Sequence, residues 1–287
     1  MTGRMKDGRR RSPFAIVTMI LLAILWTVPT LGLLVTSFRT REDAASTAWW
    51  TALFNPFGSG WTMDNYTQVF TNTNLGPTLI NSIVVAVPAT VLPIMFAAFA
   101  AYAFTFIKFR GKEILFILIV ALMVVPIQVA FQPMLNLLGP RGLGISGEFV
   151  AVWLLHTGFG MPLAIYILRN YMTGLPGSLI ESAKIDGASH YQTFWRLVAP
   201  LSLPAIAAFA TLQFLWVWND LLIAKLFLGG GSNTTIIVAL QNLLGTQGQG
   251  AELLTAGAFI SMLVPLIVFF SLQNFLVRGM TAGSVKG

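Results

Sequence analysis

LINSIVVAVPATVLPIMFAAFAAYAFTF, residues 79–106, holds no charged side chain and is long enough as a helix to cross the roughly 30 Å of hydrocarbon in a bilayer. Runs of the same kind flank it at 14–36, 114–136, 149–168, 201–222 and 256–277, so the pattern predicts six spans. With no water at membrane depth, the backbone of each span has to satisfy its own donors and acceptors, which it does as an α-helix. The expected fold class is all-α, a polytopic membrane protein with six transmembrane helices. No stretch between the runs is a polar block large enough for a soluble module, so residues 1–287 are expected to form a single transmembrane domain.

Composition excludes several function classes. The chain is 56% hydrophobic and 9% charged, against about a quarter charged in ordinary soluble domains. Cysteine is absent, which removes disulfides, thiolate metal sites and thiol nucleophiles while leaving the redox compartment open. The formal charge of +7 raises the question of nucleic acid, but basic and aromatic residues are not interleaved in a solvated stripe, so no nucleic-acid partner is expected.

The charge instead reports topology. Five basic residues precede the first span (Arg4, Lys6, Arg9, Arg10, Arg11), and Lys108, Arg110, Lys112, Arg169, Lys184, Arg196, Arg278 and Lys286 fall in alternate segments of the same side. Only Arg39, Arg41, Arg141 and Lys225 fall on the other, so the positive-inside rule places both termini in the cytoplasm. A signal peptide is the rival reading of the first run, after Arg9–Arg11; the run is longer than an h-region and lacks a small-residue cleavage pair, so an uncleaved helix is expected. The expected parts are a cytoplasmic basic N-terminus at 1–13, a cytoplasmic loop at 171–199 and a cytoplasmic tail at 278–287.

On the external side, residues 37–78 carry Trp49, Trp50, Trp61 and Tyr66, residue types that settle at the headgroup level. Residues 229–252 open with three glycines and then place Ile236, Ile237, Leu240, Leu243 and Leu244 at helical spacing, a short external or re-entrant helix. Pro88, Pro93, Pro126, Pro133 and Pro265 stand inside spans, where each removes a backbone donor and leaves a carbonyl for a neighbour or a water-lined cavity.

The cytoplasmic stretch 171–204, YMTGLPGSLIESAKIDGASHYQTFWRLVAPLSLP, reads as two short helices and a turn. Pro176 opens the first, with Leu179, Ile180 and Ala183 on its apolar face beside Glu181 and Lys184. Gly187 tolerates a positive φ, and Tyr191, Phe194, Trp195 and Val198 recur at helical spacing before Pro200. A loop this apolar needs a partner to cover it, or else packs on the membrane surface through its own aromatics.

These residues resemble the EAA signature of ABC importer permeases: Glu181, Ser182, Ala183, then Gly187, then Leu203-Pro204, with Ser182 in place of the first alanine. IDGAS at 185–189 and FWR at 194–196 are similar to the sugar-importer variant, and DNYTQVF at 64–70, WVWNDLLIAKLFL at 216–228 and the tail from Phe275 extend the resemblance over most of the chain. The family is the maltose-type carbohydrate permeases, the shorter of two permease partners, nearest the α-glucoside branch. The resemblance implies a type I ABC importer permease fold in a bacterial cell membrane. It also implies a heteromeric assembly with a second homologous permease, two ATPase subunits or a homodimer of one, an extracytoplasmic sugar-binding protein and a sugar substrate, an α-glucoside or other di- or oligosaccharide.

In that family the EAA loop docks a coupling helix into the ATPase, so Glu181, Ser182, Ala183, Ile185, Asp186, Gly187, Ala188, Phe194 and Arg196 are the implied coupling residues. The tail GMTAGSVKG, 279–287, is implied to reach toward the ATPase. No Walker A pattern occurs, so the chain is expected to be no enzyme and to hold no cofactor, with ATP and Mg bound by the partner ATPase. His156 and His190 lie on different segments without a metal-binding arrangement of carboxylates, and Asp220 stands nearly alone near the external end of the fifth span, a poor basis for an intramembrane enzyme.

A sugar path needs hydrogen-bond partners and an aromatic face inside the membrane. Gln128, Gln132 and Asn136, spaced by four, share one face if the third span is helical, and Gln213, Trp216 and Asn219 cluster in the fifth. These groups either line the path or tie helices together. Another small solute such as glycerol phosphate or a polyol, and an ATPase-independent channel or membrane anchor, are the alternatives.

Overall fold

The computed structural model describes residues 13–72, 74–244 and 250–282, with side chains to residue 275. The basic N-terminus and residues 283–287 of the tail lie outside the described residues, as do the tail side chains from 276 onward. The chain divides into two compact units, residues 1–72 with 243–260, and residues 73–242 with 261–287.

The first unit begins with α1 (Pro13–Ser37), whose most apolar window buries nothing within the chain. Such a helix needs lipid or another subunit around it. Beyond Ser37 the chain folds back on the end of the span. Thr40 N–H donates to Gly60 O at 3.1 Å and Thr62 N–H to Phe38 O at 2.7 Å. Short helices α2 (Arg41–Ser46), α3 (Thr51–Phe54) and α4 (Asp64–Asn72) follow. Arg39, 1% exposed, donates to the carbonyls of Thr47 and Asp43, and Asn65 donates to the carbonyls of Ser37 and Arg39. Trp49 packs over Gly32, while Trp50, Phe54, Phe57 and Trp61 keep exposed faces.

The second unit is built around α5 (Leu75–Phe106), which packs along α8 (Phe149–Thr173) and α12 (Leu203–Trp218). Small residues make this approach close: Ala86, Ala89, Ala97, Ala98 and Ala101 of α5 are buried, as are Gly160 and Ala164 of α8 and Ala205 and Ala207 of α12. The third predicted span is not one straight helix. It consists of α6 (Lys112–Ala121), the 3-10 turns Leu122–Val124 and Ile127–Ala130, and α7 (Phe131–Leu138), and its two halves bend by 94°. Pro126 explains the break, because it forces the residue before it out of the helical region: Val125 has φ −77° and ψ 122°.

The fifth is approached by α9 (Gly177–Ile185), α10 (His190–Thr193), a π-helical turn Phe194–Val198 and α11 (Ala199–Leu201), with a 70° bend into α12. It is followed by α13 (Leu222–Phe227), α14 (Ile236–Gln241) and α15 (Ala251–Ala282). Among the described residues, then, four continuous helices are long and apolar enough to cross a membrane, and six spans result when each bent pair counts as one. The predicted short external helix is α14, which ends before Leu243 and Leu244.

The segments that charge assigned to one side do meet at one end of this unit. Arg169 Nη2 lies 3.3 Å from Glu113 Oε2 with its guanidinium over the Phe116 ring, and Tyr102 Oη lies 3.0 Å from His190 Nδ1. At the other end Asn81 donates to the carbonyls of Ser232 and Thr234, and Asn233 to that of Gly147.

Candidate functional site

The loop at 171–204 is held in shape by local chemistry. Pro176 caps α9, and Gly187, at φ +75°, ends it. Ala188 N–H donates to Ala183 O at 2.9 Å and Gly187 N–H to Lys184 O at 3.1 Å, the paired bonds of a Schellman cap. Ser189 then opens α10 in a capping box with Gln192, each side chain meeting the other's backbone N–H. The π turn follows because Pro200 cannot donate to the Arg196 carbonyl, and Ala199 N–H bonds back to Phe194 O instead.

The apolar positions divide sharply. Ile180, Phe194 and Val198 are buried, and Phe194 stacks on Phe99 at 4.6 Å between centroids and sets its edge to Tyr102 at 5.5 Å. Ile185, Tyr191 and Trp195 stay exposed, Ile185 at 86%. Of the implied coupling residues, Ser182, Ala183, Asp186, Gly187, Ala188 and Arg196 line one surface hollow of about 550 Å³. Glu181 is exposed and forms no ion pair among the described residues, Ile185 projects beside the hollow, and Phe194 lies beneath, joining the loop to α5.

The second feature is a cavity of about 530 Å³ at the break in the third span, lined among others by Pro126, Ile127, Gly158, Pro162, Gln213 and Trp216. Its lining carries no charged side chain. Gln213 is 3% exposed and donates through Nε2 to Ala89 O at 3.1 Å and to His156 O at 3.4 Å, so its amide nitrogen ties α12 to both α5 and α8. Gly160 makes room for it, since a Cβ there would stand 2.8 Å from Nε2. The Gln213 carbonyl oxygen is the part left to accept.

The other candidate path residues are more dispersed. Gln128, Gln132 and Asn136 are exposed and do not line the cavity. The expected stack by four holds for Gln132 and Asn136, whose amides approach to 3.5 Å on α7. Gln128 sits in a 3-10 turn, where four residues no longer return to one face. Asn219 is exposed and donates to Leu215 O at 2.8 Å.

Sequence reasoning took His156 for a core or interfacial histidine and missed its pairing with Asp220. Its ring, 1% exposed, places Nε2 3.4 Å from Asp220 Oδ2 and stands edge-on to Trp216 at 5.4 Å between centroids. Asp220 is therefore not isolated; the same Oδ2 also accepts from Ile223 N–H at 3.1 Å, so it fixes the start of α13. Residues so far apart in sequence gave no spacing signal, though a histidine and an aspartate at similar depth on adjacent spans were the available clue. No group of three or more metal-ligating residues exists among the described residues.

A family model described as "Binding-protein-dependent transport system inner membrane component" matches residues 93–282. The osmoprotective compounds uptake permease protein GgtD of Synechocystis sp. is 51% identical over 94% of this chain and 91% of its own length. The alpha-glucoside transport system permease protein AglG of Rhizobium meliloti is 39% identical over 97% of this chain and 99% of its own. A chain of a bacterial ABC transporter involved in the import of alginate, solved by crystallography, superposes with a TM-score of 0.68 at 20% identity, over 96% of this chain and 99% of that one.

Proposed function

The chain belongs to the family of binding-protein-dependent transport system inner membrane components and is a non-catalytic permease subunit of a sugar ABC importer, and from that premise we propose that it passes an α-glucoside or a similarly small, neutral glycoside. The observation that carries the neutral solute is the uncharged cavity at the broken span, with Trp216 and Phe159 as its aromatic faces and Gln213 Oε1 as a spare side-chain acceptor. A sugar ring needs those two kinds of surface, whereas glycerol phosphate needs a cation that the lining lacks. GgtD is named for osmoprotective compounds and AglG for alpha-glucosides, and a small glucoside satisfies both descriptions.

The rest of the assembly is part of the same proposal. The exposed amides of Gln128, Gln132, Asn136 and Asn219 belong to the path on the side that a second, homologous permease closes. The hollow lined by Ser182, Ala183, Asp186, Gly187, Ala188 and Arg196 receives the ATPase, with Glu181 and Ile185 at its contact edge and Phe194 passing the motion to α5 through Phe99. ATP and Mg are bound by that partner, and both termini face it from the cytoplasm. Binding-protein delivery at the opposite face then gives alternating access driven by closure of the ATPase.

The test is purification of the tagged chain in mild detergent with whatever copurifies, reconstitution, and uptake of maltose, trehalose, sucrose and glycerol 3-phosphate with the binding protein. Recovery of an ATPase and a second permease, with uptake of a glycoside, supports the reading; uptake of glycerol phosphate, or solute flux from the chain by itself, defeats it.

A further inference from the structure

Three prolines inside α5 and α8 each withdraw the N–H that would bond the carbonyl four residues earlier. Pro88 releases the Val84 carbonyl, and the Trp153 indole N–H takes it at 2.9 Å. Pro93 releases the Ala89 carbonyl, and Gln213 Nε2 takes it at 3.1 Å. Pro162 releases the Gly158 carbonyl, and here no side chain among the described residues supplies a donor. Gly158 is exposed, a Cβ built on it would meet nothing within 4 Å, and both Gly158 and Pro162 line the cavity beside Trp216. Inside a membrane an unfilled carbonyl is costly unless something polar visits it.

We propose that the Gly158 carbonyl, released by Pro162, is a binding group of the translocation path and accepts a hydrogen bond from a hydroxyl of the passing sugar while Trp216 covers the ring face. The proposal rests on the reading of the cavity as the sugar path. Glycine at 158 keeps the approach open, and proline at 162 keeps the acceptor from being consumed by its own helix. An acceptor made of backbone cannot rotate away or change charge, which suits a site that must hold a neutral polyol briefly and release it. Gln213 Oε1 is the second acceptor on the wall, so a sugar hydroxyl pair has two fixed points to engage.

The test uses the reconstituted importer with its copurified partners, and reads uptake of whichever of maltose, trehalose or sucrose is carried, relative to its monodeoxy analogues. The binding protein's own preference is common to every variant and cancels in the comparison with the native importer. Pro162→Ala returns an N–H to Gly158. Discrimination against one deoxy analogue should then shrink by about two- to tenfold, the span of a single hydrogen bond, while stimulated ATPase turnover is kept. Pro88→Ala, where Trp153 already holds the released carbonyl, should leave discrimination unchanged. Trp216→Ala reads the underlying premise separately, by slowing uptake of the native sugar itself.

If Trp216→Ala slows uptake and Pro162→Ala discriminates as the native importer does, the carbonyl proposal is overturned and the path reading stands. If neither variant differs from native, both are overturned. A change of equal size in Pro88→Ala also overturns the proposal, since it would make the effect a general one of proline removal. Should Pro162→Ala fail to assemble, Pro162→Gly restores the same N–H and is held to the same outcomes.

Discussion

The loop at 171–204 and the cavity at the broken third span solve opposite problems with the same materials. In the loop, aromatic residues are spent internally: Phe194 is sunk against Phe99 and Tyr102, and what remains outside is a hollow whose lining includes Asp186 and Arg196. In the cavity, the polar side chain is spent internally: Gln213 gives its nitrogen to two helix carbonyls, and what remains outside is the rings of Trp216 and Phe159 and a few acceptors. In the proposed function, the rigid turn and exposed charges of the loop serve a surface that another protein occupies for long periods. In the same proposed reading, a wall that ties up its amide donor and carries no charge is one that the solute visits. Changes in the loop should therefore abolish coupling, and changes in the cavity should retune it.

Gly187→Val should have the largest effect. A β-branched residue at φ +75° is strained, although nothing within 4 Å blocks its Cβ, so the cost falls on the Schellman turn. Uptake is expected to fall by about five- to thirtyfold with normal membrane insertion, the factor that about 1–2 kcal/mol of turn strain supplies when docking depends on the turn. Normal uptake would refute the loop's assignment. Phe194→Ala empties a buried aromatic site and should cost about 3–5 kcal/mol, measured as a lowered thermal midpoint in detergent. Tyr191→Ala, on the exposed side, should leave that midpoint alone and weaken ATPase copurification; the reverse pattern would exchange the roles of the two faces.

Gly160→Ala brings a methyl group within 2.8 Å of the Gln213 amide and should loosen its bonds to Ala89 and His156. The expected result is a several-fold slower uptake, about the worth of one hydrogen bond, with stimulated ATPase turnover preserved. Loss of ATPase stimulation instead would mean that Gln213 serves coupling. His156→Phe keeps an aromatic edge for Trp216 and removes the contact to Asp220. It should lower stability by about 1 kcal/mol and leave uptake within about twofold, and a larger drop in uptake would give the pair a part in translocation.

The loop was legible because its structure is written in neighbouring residues. Gly187 needs its positive φ, Pro176 starts a helix, and Pro200 disturbs the next, all within a few residues of where they act. Even there, helical spacing grouped Tyr191, Phe194, Trp195 and Val198 as one apolar set, and only the position of α5 decided that Phe194 and Val198 go inside while Tyr191 and Trp195 do not. The cavity was half legible. Gln213 and Trp216 were visible as polar or amphipathic residues inside an apolar run, but the 3-10 turn Ile127–Ala130 that follows Pro126 took Gln128 off the face it was expected to share with Gln132 and Asn136.

What the sequence determined by itself is the class of solvent, the number of apolar runs and the family, because hydrophobic length acts through the bilayer and not through contacts. It also fixed where carbonyls are released, since proline acts on its own helix four residues back. Only the tertiary structure decided which releases are filled and which stay open. Trp153 and Gln213 come from other helices to fill two of them, and no side chain among the described residues donates to the Gly158 carbonyl. The same holds for His156 and Asp220, which meet because α8 and α12 pack side by side, a contact set by small residues along the helices rather than by any spacing in the chain.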